Sequence, residues 1–394
     1  MKRQLRMKHL CTRMNKCLCI FALLAFIDVA ECRRPGKDKA TEIELQSVKR
    51  NAVNLLSRKP KDSDILNEAR SYDEKVEKRH FSGQVLAYVT PWNAAGYDNA
   101  KLFRRKFSHV SPVWYNIKQD HRSSGVTITG QHDVDQGWIK AVRGKGDGPK
   151  IVPRFMFEGW DSNALDSLFG KAKSVKDLTN LLTAEVQKQG FDGLVLEVFN
   201  SIDPRSRNYQ SLMQDAKYFI LELAKALHEH KWQLVLVIPP NFSEDEFVPL
   251  AEHVDLFSLM TYDFSDRRRP GPNSPLSWVA DVVNNLKRKA PAETAVKILA
   301  GLNFYGNRYC GQDDDGPILG RDYLQILQKQ KTKFSWEENF HEHVLRYNDN
   351  QRSCAVWYPT LQSVQDRIDL AIDLGTGLSI WEIGQGLEYF FDLL

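Results

Sequence analysis

Cysteine is scarce: six residues in 394, three of them crowded before position 20. No Cys-x-x-Cys pair or Cys/His cluster occurs, so no zinc or thiol-redox motif is written into the chain, and no metal or other cofactor is expected. His132 and Asp133 fit no metal or triad pattern either. Long apolar runs are missing too. The longest, Cys17–Ile27, has 11 residues, against the ~20 of a membrane-crossing helix. A marked excess of either charge is absent as well: Lys and Arg total 54, Asp and Glu 50. Residues 1–30 carry six of those cations against Asp28 alone, and without them the formal charge of +4 falls to about −1. Nothing global points to nucleic acid.

What is present begins with a targeting pattern. A basic stretch ending at Lys16, the apolar run to Ile27 and the small Ala30 read as a secretory signal over residues 1–32, with an uncleaved anchor as the alternative. A secreted or lysosomal location is expected, with no membrane contact once the signal is removed. The single sequon, Asn241-Phe242-Ser243, suits that route and makes Asn241 the glycosylation candidate. In an oxidising compartment Cys310 and Cys354 are candidates for a disulfide. Closing a loop of that length is worth about 4 kcal/mol in the chain-entropy picture; a buried free Cys354 is the other reading. Residues 33–80 are rich in Lys, Arg, Asp and Glu and read as a helical or partly disordered extension without assigned chemistry.

From Gln84 onward, apolar runs alternate with amphipathic segments, as βα units require. Eight strands are expected: 85–90, 109–114, 150–157, 193–199, 233–238, 255–262, 297–302 and 377–381. Helical stretches fall between them, among them 175–188, 208–230, 278–289 and 361–374. Eight such repeats describe an α/β fold, a closed (β/α)8 barrel over 81–394, with an open doubly wound sheet as the rival. The stretch between the seventh and eighth strands is too long for one helix and leaves room for an insertion at about 307–350.

The fourth expected strand, Phe191–Phe199 (FDGLVLEVF), is apolar throughout except for one carboxylate. Alternation puts Val195, Glu197 and Phe199 on one face and Leu194, Leu196 and Val198 on the other. Glu197 is therefore an ionisable group inside an apolar strand, costly unless paired or used. This stretch resembles the signature strand of the family-18 glycoside hydrolases, the chitinases and chitinase-like lectins, whose pattern is Asp-Gly-x-Asp-x-Asp-x-Glu. Asp192 and Gly193 match. Val195 and Glu197 stand in place of the second and third Asp, and Phe199 in place of the catalytic Glu.

The resemblance runs on from residue 83 to the C-terminus. Met260-Thr261-Tyr262-Asp263 is similar to the family's Met-x-Tyr-Asp, whose Tyr and Asp hydrogen-bond the sugar. Gly301–Gly306 resembles its Gly-x-x-x-Tyr-Gly, and Trp381 the aromatic floor of the central subsite. Glu158-Gly159-Trp160 departs from its Ser-x-Gly-Gly. Independently of the family, a (β/α)8 barrel places functional groups at the C-terminal ends of its strands. Trp92, Trp114, Trp160, Tyr262, Tyr305 and Trp381 all fall at such ends, where aromatic faces stack on sugar rings and polar edges reach hydroxyls; the plainer reading of each is a cap on the barrel core. Together with Glu158, Glu197, Phe199 and Asp263, these are the candidate ligand-binding residues. Arg267, Arg268 and Arg269 follow the sixth strand and suit an acidic glycan, or are simply a solvated loop.

In this family the substrate's own acetamido group attacks while one Glu protonates the leaving oxygen. Phe199 has no proton to give, and losing a general acid costs roughly 10²–10⁴-fold. Glu197 lies two residues deeper, about 6–7 Å along the strand, and is expected as a buried carboxyl satisfied by Tyr262, Asp263 or a water. The resemblance thus implies no catalytic residue and no hydrolysis, but a lectin for N-acetylglucosamine-type oligosaccharides. The competing readings are an active glycosidase on chitin- or peptidoglycan-like glycans, using Glu197 or Glu158, and a scaffold carried by a sorting or scavenger receptor.

Overall fold

The structure, a computed structural model, describes residues 55–120, 125–311, 315–349 and 351–394. The signal pattern at 1–32 and Cys32 lie outside the described residues.

Eight strands carry the fold: β1 (Val85–Val89), β2 in two pieces (His109–Pro112 and Tyr115–Asp120), β3 likewise (Lys150–Ile151 and Arg154–Phe157), β4 (Gly193–Glu197), β5 (Gln233–Ile238), β6 (Leu256–Leu259), β7 (Ile298–Asn303) and β8 (Gly377–Trp381). The eight run parallel to one another, with Gly125–Thr129 added antiparallel to Tyr115–Asp120, and β8 pairs with β1, Leu378 opposite Val85. The ring is closed. This is the (β/α)8 barrel of the sequence reading, and the open sheet is set aside. Helices Ala172–Gln189, Tyr209–His228, Leu276–Lys287 and Leu361–Leu374 begin and end within a few residues of expectation. Gly190, at φ 66°, stops the first of them in the left-handed conformation that glycine adopts without penalty.

Two layers of core follow from strand alternation. Leu86, Tyr88, Val113, Val152, Val195, Val235, Val237, Leu256 and Leu299 fill the barrel, with Met260 and Trp381 packed above them. The opposite faces, such as Leu194, Leu196, Phe155 and Phe257, meet the helices. The pieces of β3 are split by Val152-Pro153, where proline has no N–H to give the ladder. The pieces of β2 are split at Val113-Trp114. Val113 faces the barrel interior, whereas Trp114 and Tyr115 both join the outer core. That bulge breaks the alternation.

Between β7 and β8 the chain builds a five-stranded antiparallel sheet with one helix, Gly320–Lys329. In spatial order its strands are Gly316–Ile318, Gly306–Tyr309, Arg352–Trp357, Glu342–Asp349 and Lys333–Glu337. The insert therefore extends to residue 357, past the expected 350, because the apolar run at Cys354–Trp357 is its central strand. Cys310 and Cys354 form a disulfide with Cα atoms 4.3 Å apart. Glu342 accepts from the backbone of Asn273 and Ser274 and pairs with Arg367 at 3.1 Å, tying the insert to the barrel. Upstream, helix Asp62–Glu68 and buried Leu55, Ile65 and Tyr72 pack the end of the N-terminal extension onto the same core.

Candidate functional site

Four residues build the floor of the barrel mouth. Glu197, last in β4, points inward as expected, but its partners are not Tyr262 and Asp263. Arg154 of β3 donates to Glu197 Oε2 at 2.9 Å and Asn200 Nδ2 to Oε1 at 2.7 Å. Both members of the ion pair are buried, at 8% and 9% exposure. Arg154 is the first residue of the upper piece of β3, on the face opposite Phe155, and its guanidinium stands 5.7 Å from the centre of the Trp381 ring. Trp381 in turn leans on Tyr88, ring centres 5.1 Å apart. Beneath them Tyr88 donates to Ser258 at 2.9 Å, and Ser258 meets Ser379 at 2.7 Å. Burial holds the Tyr88 hydroxyl well above its ordinary value, so it stays a neutral donor.

Phe199 is a correction. Strand β4 ends at Glu197, and residues 199–201 turn as a 3-10 helix, which rotates Phe199 off the inward face. Its ring is buried against Phe242, 4.8 Å away, in the outer core. No side chain of residue 199 reaches the groove. Trp114 is a second correction: the β2 bulge turns it outward, where its ring packs on Trp138 and Phe191 and its Nε1–H donates to Tyr97 at 2.7 Å.

On the β6–β7 side the candidates do converge. The strand stops at Leu259, earlier than the expected 262, and the loop brings half-buried Tyr262 edge-on to Tyr305, 6.2 Å between centres. A Cβ on Gly301 would lie 2.3 Å from the Leu259 carbonyl oxygen and 3.0 Å from the Tyr262 ring. Glycine is what lets the loop fold down there. Asp263, at φ 60°, accepts from the Tyr305 hydroxyl at 2.5 Å, and its N–H donates to Asn273 Oδ1. Burial raises the Tyr305 hydroxyl far above its usual range, so it too remains a donor.

Other candidates sit around the rim. Glu158 pairs with Lys118 at 3.1 Å in solvent. Half-buried Trp160 donates to the Ile117 carbonyl and walls a cleft of about 680 Å³ shared with Ser201, Asp203 and Arg207. Trp92 is 64% exposed at the end of β1. Arg267, Arg268 and Arg269 are exposed, their loop pinned by Asp266 Oδ1, which accepts from the backbone of Arg268 and Arg269. Asn241 is exposed beyond β5, between Pro240 and the buried Phe242. Among the described residues no group of three or more His, Cys, Asp or Glu could hold a metal ion, and no helix is long and apolar enough to cross a membrane.

Sequence reasoning missed Arg154 and Glu382. Arg154 carried a signal: a cation within the apolar run Ile151–Phe157, the same anomaly that singled out Glu197. Glu382, next to Trp381, is fully buried and accepts from Asn93 Nδ2 and from the Gly384 N–H at 2.9 Å. Burial without a cation pushes its carboxyl up to about 7.

Comparison with known proteins agrees with this frame. The chitinase of Chromobacterium violaceum superposes with a TM-score of 0.66 at 21% identity, over 79% of this chain and 98% of that one. A class V chitinase of Pseudomonas fluorescens gives 0.67 at 21% identity, with the same coverage. The family-18 chitinase of Cycas revoluta in complex with (GlcNAc)3 gives 0.64 at 15% identity, covering 79% and 98%. The family model described as glycosyl hydrolases family 18 matches residues 84–386, about three quarters of the chain, from just before β1 to just after β8. The chain belongs to glycosyl hydrolase family 18.

Proposed function

We propose that this is a non-hydrolytic, chitinase-like lectin whose groove, floored by Trp381 and walled by Tyr262 and Asp263, with buried Tyr305 holding Asp263 in place, takes N-acetylglucosamine-type oligosaccharides. The observation that carries the reading is at the end of β4: Phe199 is packed away on Phe242, and the nearest carboxylate, Glu197, is ion-paired with Arg154 and hydrogen-bonded by Asn200. With one oxygen taken by a guanidinium and the other by an amide N–H, the carboxyl group is held away from a leaving oxygen. The aromatic faces of Trp381 and Tyr262 remain, and they suit binding. The Cycas relative, whose structure holds (GlcNAc)3, lends the ligand class. The ordered motifs, with Tyr88–Asn93 and Val113–Tyr115 among them, resemble chitinase domain-containing protein 1, the stabilin-1-interacting chitinase-like protein; secretion or lysosomal delivery, and a sorting or scavenger receptor as partner, belong to the same proposal. Arg267 and Arg269 extend it to acidic glycans.

A second reading, hydrolysis, keeps one observation in its favour: Glu197 does face the mouth of the barrel. A glycan array on the mature protein, run beside a chito-oligosaccharide hydrolysis assay, separates the two. Binding without cleavage is expected; cleavage would overturn the lectin reading.

A further inference from the structure

The C-terminal end of β8 and the loop after β1 each carry an exposed or half-exposed indole, and a single buried carboxyl joins them. Glu382 follows Trp381 directly. Its Oε1 accepts from Asn93 Nδ2, one residue past Trp92, and its Oε2 accepts from the N–H of Gly384. Its own N–H reaches Gln385 Oε1 at 3.3 Å. The two loops touch backbone to backbone at this joint. A Cβ on Gly384 would lie 2.4 Å from the Gly96 nitrogen and 2.7 Å from Asn93 Nδ2, and one on Gly96 would lie 3.0 Å from Glu382 Oε2. Asn99 adds a bond from the following helix to the Ile383 carbonyl at 2.9 Å. At the centre of so tight a joint lies the carboxyl of Glu382.

We propose that Glu382 is a positioning residue of the oligosaccharide groove, fixing the Trp92 loop against the strand end that presents Trp381. The ligand part of this rests on the lectin reading above; the positioning part does not. The two indoles define the line along which a sugar chain lies, so the angle between their loops sets how many rings stack at once.

The joint is also sensitive to protonation. On the β1 side Glu382 faces Asn93 and Tyr97, and on its own loop Gly384 and Gln385. Tyr97 has its hydroxyl pushed up to about 12 by burial and stays neutral. The nearest charged pair on the helix after β1, Asp98–Lys101, is solvent-exposed and satisfied within itself at 2.8 Å. Among the described residues no Lys or Arg pairs with Glu382. Asn93 Nδ2 and the Gly384 N–H favour the charged carboxyl, but burial outweighs them, so ionisation near neutral pH puts a charge without a counter-ion in the joint and favours its opening.

The test uses wild type, Glu382→Gln, and Asn93→Ala as a second variant that spares the carboxyl. Titration with (GlcNAc)4 at pH 5.5 and 8.0 should show wild-type affinity several-fold higher at pH 5.5, and no pH dependence in Glu382→Gln. A ligand-free readout is the acrylamide quenching attributable to Trp92, taken as the difference from Trp92→Phe. It should rise with pH in wild type, stay level in Glu382→Gln, and be high at both pH values in Asn93→Ala. If (GlcNAc)4 binds none of them, the lectin reading fails and quenching alone decides the positioning role. Wild-type and Glu382→Gln proteins with the same pH profile in quenching would overturn the proposal.

Discussion

The ends of β4 and β8 lie four strands apart around one barrel mouth, and each buries a carboxylate. Glu197 has a cation: Arg154 at 2.9 Å, with Asn200 on its other oxygen. Glu382 has only an amide and a backbone N–H, and its proton is held up to about pH 7. Burial is similar, so the difference is the partner. A carboxylate paired with a buried guanidinium does structural work. An unpaired one remains free to titrate where the protein functions.

Removing the cation should have the largest effect. Arg154→Met strands Glu197 as a lone buried charge, and we expect a loss of about 3–5 kcal/mol in urea unfolding. The double variant Arg154→Met/Glu197→Met should recover most of it. A single variant as stable as wild type would erase the contrast between the two sites.

The pH dependence of stability is the next lever. The folded-state value of Glu382 is raised, so its contribution is full below about pH 4.5 and lost as pH rises through about 7. A shift of that size corresponds to about 3 kcal/mol. His343, buried beside Thr360, is shifted the other way, to about 4 by burial. Its contribution is present above about pH 6.5 and lost as pH falls toward 4. Between about pH 4.5 and 6.5 the loss at Glu382 and the gain at His343 offset each other, so stability should be nearly level there in thermal melts from pH 4 to 9, and Glu382→Gln should turn that plateau into a rise up to about pH 6.5. A plateau unchanged in that variant assigns the titration elsewhere.

How much of this was legible beforehand differs between the two ends. The barrel was, because apolar runs at βα spacing have few other solutions and the motifs at Tyr262, Tyr305 and Trp381 fall in order. Glu197 stood out as a charge in an apolar strand, and Arg154 obeyed the same rule unnoticed. Phe199 and Trp114 were misplaced because alternation was extended through a 3-10 turn and a bulge, neither of which has a sequence signature as plain as Pro153. Glu382 was out of reach. It is one acid among 50 in the chain, and its burial depends on Asn93, 289 residues away.

Smaller effects probe the groove itself. Trp381→Ala should weaken (GlcNAc)4 binding by roughly 1–3 kcal/mol, the scale of stacking on flat rings, as read by calorimetry on folded protein; unchanged affinity would leave the subsite without a role. Replacing Arg267, Arg268 and Arg269 with Gln should change least. Only acidic glycans should lose affinity, with a shallower salt dependence, and an equal loss for neutral chitin fragments would contradict the electrostatic role.

The most direct test of the account is hydrolysis. Purified wild type and Glu197→Gln, incubated with chito-oligosaccharides from pH 4 to 8, should both leave the substrate intact if the proposed non-hydrolytic groove, with Glu197 held by Arg154 and Asn200, is right. Turnover by wild type that disappears in Glu197→Gln would contradict it.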